Sequence, residues 1–216
     1  MDISAELTEI GSYGEFFRIT VGGSEAGWVP VGRCNADGWA DLVEVTVARL
    51  GTSERRVAAS MVQFAHAARL WSPVLACALV YRVVPDLASL QRARDGSALR
   101  LPTARAAPLE PTARSLYRLV VEQHLEPLAD GLRVKPARSV RYGNAASALV
   151  ESARALIAAR PQLRDPAAEL TASLLGTGKL CGAGDFDAAA WSFRRRSCCL
   201  YYRVPGGGKC GDCVLR

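Results

Sequence analysis

Apolar residues recur with helical spacing over much of this chain. Val57, Met61, Phe64, Ala68 and Trp71 stand at i, i+4, i+7, i+11 and i+14, the pattern of an amphipathic helix with one continuous apolar stripe. Ser53 is the predicted N-cap, with Glu54 placed near the positive end of the helix dipole. Ser72-Pro73 is expected to interrupt this helix, with an apolar segment running on to Val84. A shorter helix is predicted from Asp41 to Leu50, closing at Gly51. Val121, Leu125, Leu128 and Leu132 form a further helical stripe. Gly143-Asn144 predicts a turn, with Asn144 capping a helix that carries Ala145, Leu149, Ser152, Leu156 and Ala159 on one face. Asp165-Pro166 supplies an N-cap and N1 pair for a last helix that ends at Gly176.

The period changes near the N-terminus. Phe17, Ile19 and Val21 alternate with Phe16, Arg18 and Thr20, which predicts a half-buried strand stopped by Gly22-Gly23. Trp28-Val29-Pro30-Val31 predicts a short second strand, and Leu200 to Val204 favours an extended conformation. Asp86 to Pro111, with Pro102, Pro108 and Pro111, reads as a linker-like passage. The expected fold is mainly α (α+β): a helical body with a short N-terminal β region and a C-terminal cysteine-rich loop. The body is expected over residues 1–192 and the loop over residues 193–216.

Composition narrows the function. Half of the 216 residues are hydrophobic, enough to bury a core for one domain with a small appendage. The net charge is +6, but arginines are dispersed and the only tight cluster is Arg194-Arg195-Arg196. A nucleic-acid binder concentrates basic residues in a stripe with aromatics between them, so no nucleic-acid partner is expected. The longest apolar run, Pro73 to Tyr81, stops at Arg82, short of the ~20 residues of a membrane helix. The start, Met1-Asp2-Ile3-Ser4, lacks the basic and apolar regions of a secretory signal. A cytoplasmic protein is expected, in which seven cysteines are free thiols, ligands or redox groups rather than a disulfide framework.

Four of the cysteines fall in SCCLYYRVPGGGKCGDCV, residues 197–214, with the spacing C-C-x10-C-x2-C. Pro205 and Gly206-Gly207-Gly208 can turn the chain so that Cys210 and Cys213 return towards Cys198 and Cys199. Soft thiolates suit zinc or an iron–sulfur cluster. Adjacent cysteines in an extended chain point to opposite faces, which is awkward for one zinc ion and easier for a cluster whose ligands are shared between two irons. A redox Cys-x-x-Cys needs a following helix to lower the thiol pKa, and only three residues follow Cys213. Zinc, cluster and functionless thiols all stay open on spacing alone.

The string RRRSCCLYYRVPGGGKCGDC (residues 194–213) resembles the C-terminal signature of the FhuF-like ferric-siderophore reductase family. Upstream, AARLWSP (Ala67 to Pro73) and Arg141-Tyr142-Gly143-Asn144 also look like passages in that family, with Tyr142 where a Trp often stands. The resemblance implies a [2Fe–2S] cluster on Cys198, Cys199, Cys210 and Cys213. It also implies one-electron reduction of iron held in hydroxamate-type siderophores inside the cell, releasing Fe(II). Arg194, Arg195, Arg196, Arg203 and Lys209 would offset cluster charge or attract an anionic chelate or acidic donor.

Gly206-x-Gly208-x-x-Gly211 satisfies a dinucleotide pattern but has no helix behind it, and Gly176-Thr177-Gly178-Lys179 fails the P-loop pattern. Electrons would therefore come from an external donor such as a ferredoxin or flavin reductase. A non-enzymatic electron carrier and a binding module with a structural zinc on the four cysteines are the other two readings. Among the remaining residues, Cys77 and Trp71 are expected in the core. His66 is expected to be a packed or surface histidine, and His124 shares no metal-like spacing with it. Cys34 is scattered, Cys181 could approach the cluster, and Trp39 could line a substrate groove.

Overall fold

The computed structural model describes residues 1–216 and is mainly helical with some β-structure. In chain order the helices are α1 (Ser4–Ile10), α2 (Val31–Asp37), α3 (Ala40–Leu50), α4 (Arg55–Ala76), α5 (Ala113–Tyr117), α6 (Glu126–Gly131), α7 (Arg138–Ala159) and α8 (Arg164–Leu175). The strands are β1 (Ile19–Val21), β2 (Trp28–Pro30), β3 (Val84–Pro85), β4 (Gln91–Ala93), β5 (Leu99–Leu101), β6 (Ala106–Ala107), β7 (Gly184–Asp187) and β8 (Ser192–Arg195). Wide π-helical turns continue α4 over Cys77–Tyr81 and join α5 to α6 over Arg118–Leu125.

The centre of the molecule is the pair α4 and α7, packed along their lengths. Alanines make this possible: Ala145, Ala146, Ala148 and Ala153 of α7 and Ala58, Ala59, Ala67 and Ala68 of α4 are all buried. Such small faces let backbones approach, and the polar groups between them pair across the seam. Trp71 Nε1 donates to the Ala145 carbonyl at 3.1 Å, and Ser72 Oγ to Ser152 Oγ at 2.9 Å. By length and apolarity the Arg55–Tyr81 stretch could cross a membrane, but 67% of it is buried inside the protein, as a core helix is.

Pro73 does not break α4, contrary to the sequence expectation. Its missing N–H forfeits one hydrogen bond, while Trp71, Val74, Leu75 and Ala76 around it are all buried, and the helix loosens only at Cys77. Ser53 is not the cap either; Glu54 occupies that position without a side-chain bond. The expected stripe on α4 is too narrow. Most of the helix is buried on all sides, and Met61 and Phe64 are the partly exposed members.

The passage from Asp86 to Pro111 is not a linker. It contributes β4 and β5 to a four-stranded sheet of order β1-β5-β4-β2, with β1 parallel to β5 and the other pairs antiparallel. Two buried arginines pin this sheet. Arg92 holds Asp41 at 2.6 and 2.7 Å and two carbonyls of its own turn, and Arg100 donates to the Gly22 and Gly23 carbonyls at 2.8 and 2.7 Å. The predicted strands at Ile19–Val21 and Trp28–Pro30 exist but do not pair with each other.

Gly143-Asn144 is not a turn: α7 runs straight through it. Asn144 is fully buried and donates through Nδ2 to the backbone carbonyl and hydroxyl of Ser60, both at 3.0 Å. The α8 helix begins at Arg164, one residue before the predicted cap. Of the predicted face on α7, Ala145, Leu149, Ser152 and Leu156 are buried and Ala159 is exposed.

Candidate functional site

After α8 the chain forms the β7–β8 hairpin, which delivers Arg195 against α7 and opens into the cysteine segment. Leu200 to Val204 is not a strand. The Leu200 N–H donates to Cys198 Sγ at 3.3 Å, Leu200 takes a left-handed conformation, and a 3-10 turn follows over Tyr201–Arg203. No neighbouring strand offers this stretch a partner. Gly206, at φ +71°, completes the reversal that only glycine makes at low cost, and the chain returns at Cys210.

The reversal brings Cys210 back onto Cys199. Cys199 Sγ and Cys210 Sγ are 3.7 Å apart, and no disulfide joins any cysteine. Cys199 and Cys213 are buried, while Cys198 and Cys210 are half-buried. The Leu215 N–H donates to Cys213 Sγ at 3.4 Å, matching the N–H bond to Cys198. Burial pushes the Cys198 thiol up, and burial with the adjacent Cys199 pushes Cys210 up to about 12. Thiols placed this close to one another disfavour carrying negative charge unless a cation lies beside them. These are the residues that could hold a metal cofactor.

Three polar anchors tie the segment to the body. Asp212, almost fully buried, accepts from Ser147 Oγ at 2.6 Å and Arg154 Nη1 at 3.1 Å, while its carbonyl accepts the Arg195 N–H at 3.0 Å. Ser60 Oγ donates to the Cys199 carbonyl at 2.8 Å, and Ser197 Oγ to the Ser139 carbonyl at 2.7 Å. A further contact is steric. A Cβ on Gly143 would lie 2.1 Å from Ser197 Oγ and 3.1 Å from Arg195 Nη2, so α7 needs a glycine where the segment crosses it.

Beside the thiols lies a groove of about 400 Å³, lined by Met61, Phe64, Glu151, Tyr201, Cys199 and Cys210 among others. Two of the four cysteines therefore face an open, mostly apolar surface. Burial lifts the Glu151 carboxyl, and the adjacent Arg154 opposes that rise.

Residues 195–215 match the model of the FhuF 2Fe-2S C-terminal domain. The C-terminal segment is similar to the FhuF 2Fe-2S C-terminal domain. The matched stretch takes in all four cysteines and leaves residues 1–194 outside it. No curated protein matches the chain. The fit of a cluster to the FhuF-type segment also has a structural sign: Arg195, 1% exposed, keeps its Nε–H without any partner while the Cys199, Cys210 and Cys198 thiols stand within its electrostatic reach.

The five basic residues expected around the FhuF-type segment divide. Arg196 pairs with Asp185 at 2.6 Å and Arg203 with Glu54 at 2.9 Å; Arg194 donates to the Arg216 carbonyl, and Lys209 is exposed. Arg195 is the one whose buried charge stands within electrostatic reach of the Cys199, Cys210 and Cys198 thiols. Trp39 does not line a groove: it is fully buried, with its ring 5.0 Å from that of His66. Trp71 and Cys77 are core residues as expected, and burial pushes the Cys77 thiol up to about 12. Cys34 is buried and accepts from Arg92 Nε at 3.1 Å; Cys181 is exposed in a cleft shared with Arg196 and Ser197. His66 and His124, unrelated by spacing, lie near each other in the core and are depressed by burial to about 3 and about 4. Tyr142 donates to Glu126 at 3.1 Å and lines a separate cavity.

Sequence reasoning missed Asp212, Ser60, Asn144, Ser147 and Arg154. Asp212 carried a local signal, being the polar residue inside the second cysteine pair, and Asn144 stood in the Arg141-Tyr142-Gly143-Asn144 passage but was read as a cap. The others come from helices far away in sequence.

Proposed function

We propose that Cys198, Cys199, Cys210 and Cys213 hold the [2Fe–2S] cluster and that the chain is a cytoplasmic ferric-siderophore reductase. The observation that carries this reading is the open groove at Cys199 and Cys210, since a bulky chelate needs contact with the electron source rather than entry into a closed pocket. The group supplies one electron at a time when bound. Ferric iron, small and hard, is held tightly by oxygen donors; the Fe(II) formed by gaining that electron is larger and held far more weakly, so the metal leaves an intact ligand. No bond to the protein forms or breaks.

On this reading Met61, Phe64 and Tyr201 seat the apolar part of a hydroxamate-type chelate. Residues 1–192 act as the binding body and residues 193–216 as the electron-delivering segment. An external reductant, a ferredoxin or flavin reductase, restores the electron. The deciding experiment mixes anaerobically reduced protein with a ferric hydroxamate siderophore and an Fe(II)-specific chelator. The expected result is return of the oxidised visible spectrum with one Fe(II) trapped per cluster. Failure to react, with the electron passing only to another redox protein, would make the chain a carrier. A colourless protein holding one zinc per chain would remove the electron-transfer reading.

A further inference from the structure

Arg195 is a buried cation with an incomplete set of partners. Its Nη2 donates to Asn144 Oδ1 at 2.6 Å and its backbone N–H to the Asp212 carbonyl, yet no carboxylate pairs with the guanidinium. The buried Asp212 carboxylate is hydrogen-bonded to Ser147 and Arg154 instead. Asp212 and the neighbouring thiols lie within the electrostatic reach of the guanidinium but none is bonded to it, and arginine does not escape burial by losing its proton. The unpartnered Nε–H lies on the side chain that lines the groove together with Cys199 and Cys210.

The residue is also locked from behind. Asn144, which accepts from Arg195, donates to Ser60, and Ser60 Oγ donates to the Cys199 carbonyl. This chain of bonds runs from the guanidinium to the backbone of a cysteine, so the position of the cation and that of the thiol are fixed together. Gly143 leaves the space in which it sits.

We infer that Arg195 is the counter-charge and sulfur hydrogen-bond donor that raises the reduction potential of the cluster, with Asn144 as its positioning residue. Thiolate-bound clusters are anionic, and each added electron makes them more so. A fixed cation, and an N–H left free to donate to a ligand sulfur, therefore favour the reduced form, two of the means by which proteins tune such centres. The inference rests on the cluster being bound at these cysteines and not on the identity of the substrate, so it stands or falls without any siderophore present.

The test is a redox titration of cluster-loaded protein, followed by visible absorption and by the electron paramagnetic resonance of the reduced form. In Arg195→Gln the ratio of reduced to oxidised cluster at the wild-type midpoint should fall at least tenfold, a shift of about 59 mV for a one-electron couple. Arg195→Lys, which keeps the charge, should stay closer to wild type, and the exposed Arg194→Gln should not move. A midpoint unchanged in Arg195→Gln, or lowered equally in Arg194→Gln, overturns the inference. If Arg195→Gln does not load, the wild-type protein decides. Labelled with guanidino-15N arginine and reduced, it should show nitrogen coupling to the cluster spin in pulsed spectra; absence of that coupling overturns the hydrogen bond.

Discussion

The helical body and the cysteine segment are held by different forces. Around α4 and α7 the core is continuous and apolar, and the few polar groups in the seam pair with one another. From Ser197 onward the chain has no regular element beyond one 3-10 turn, buries few large apolar side chains, and leans on single polar anchors at Ser60, Ser139, Ser147 and Arg154. Burial of apolar area sustains the first region without help. On the proposed reading the second region gathers thiols that repel each other once ionised, so the binding free energy of the metal group would add to its folding free energy. On that reading a stable body would present a segment whose order depends on its cofactor.

The largest expected effect separates the two regions outright. Cys210→Ser should abolish the visible absorption of the cluster while leaving the far-UV circular dichroism of the body unchanged. If helical signal is lost along with colour, the regions are not independent and the comparison fails.

Acid should act on the body. The unfolded chain protonates both imidazoles near pH 6.5, whereas folded His66 and His124 hold out to about 3 and about 4. The unfolded state therefore binds more protons over that interval. Stability is intact above pH 6.5 and falls as the pH drops towards 4, by on the order of 4 kcal/mol for the pair between pH 7 and 5. Denaturant midpoints across that range measure it, and His124→Gln should roughly halve the slope. A flat profile would mean that the two histidines are hydrated in solution.

Asp212 tests the joint between the regions. Asp212→Ala removes the buried acceptor of Ser147 and one of the partners of Arg154, which keeps Glu151 and the Trp191 carbonyl, so the cost should be about 1–2 kcal/mol. The cost should appear as faster cluster release and as proteolysis after Arg203, with a smaller change in the denaturant midpoint of the body. An equal loss in both would place Asp212 in the core of a single cooperative unit.

The segment was legible in the sequence because its chemistry is local: four thiols within sixteen residues, separated by a turn of glycines, need no knowledge of the rest of the chain. The α3 helix ending at Gly51 and the core roles of Trp71 and Cys77 were legible for the same reason. Long-range pairing was not. The parallel ladder of Ile19–Val21 with Leu99–Leu101 joins segments about eighty positions apart, and nothing near Asp86–Pro111 announces it. Pro73 and Gly143-Asn144 look like local breaks, but burial overrides the first, and at the second the glycine serves a neighbour rather than a turn. Met61 and Phe64 fit the helical stripe, yet it is the returning cysteine loop that leaves them facing the groove.

The smallest expected effect is the most discriminating. Glycine inside a helix is worse than alanine by about 1 kcal/mol, so Gly143→Ala considered within α7 alone should stabilise the protein. Its added Cβ, however, meets Ser197 Oγ and the Arg195 guanidinium, and both belong to the hairpin and cysteine segment rather than to the helix. The two consequences therefore fall on different regions. The denaturant midpoint of the metal-free body should stay level or rise by up to about 1 kcal/mol, because the segment can lift away at little cost when no cofactor orders it. The cluster-loaded form should release its iron several-fold faster, because the segment must then hold its place against the methyl group. Iron release to a chelator and equilibrium denaturation, measured on one preparation, give the two numbers. A variant that loses body stability and cluster retention in equal measure would show that α7 and the segment fold as one, whereas opposite signs would locate the boundary between them at Gly143.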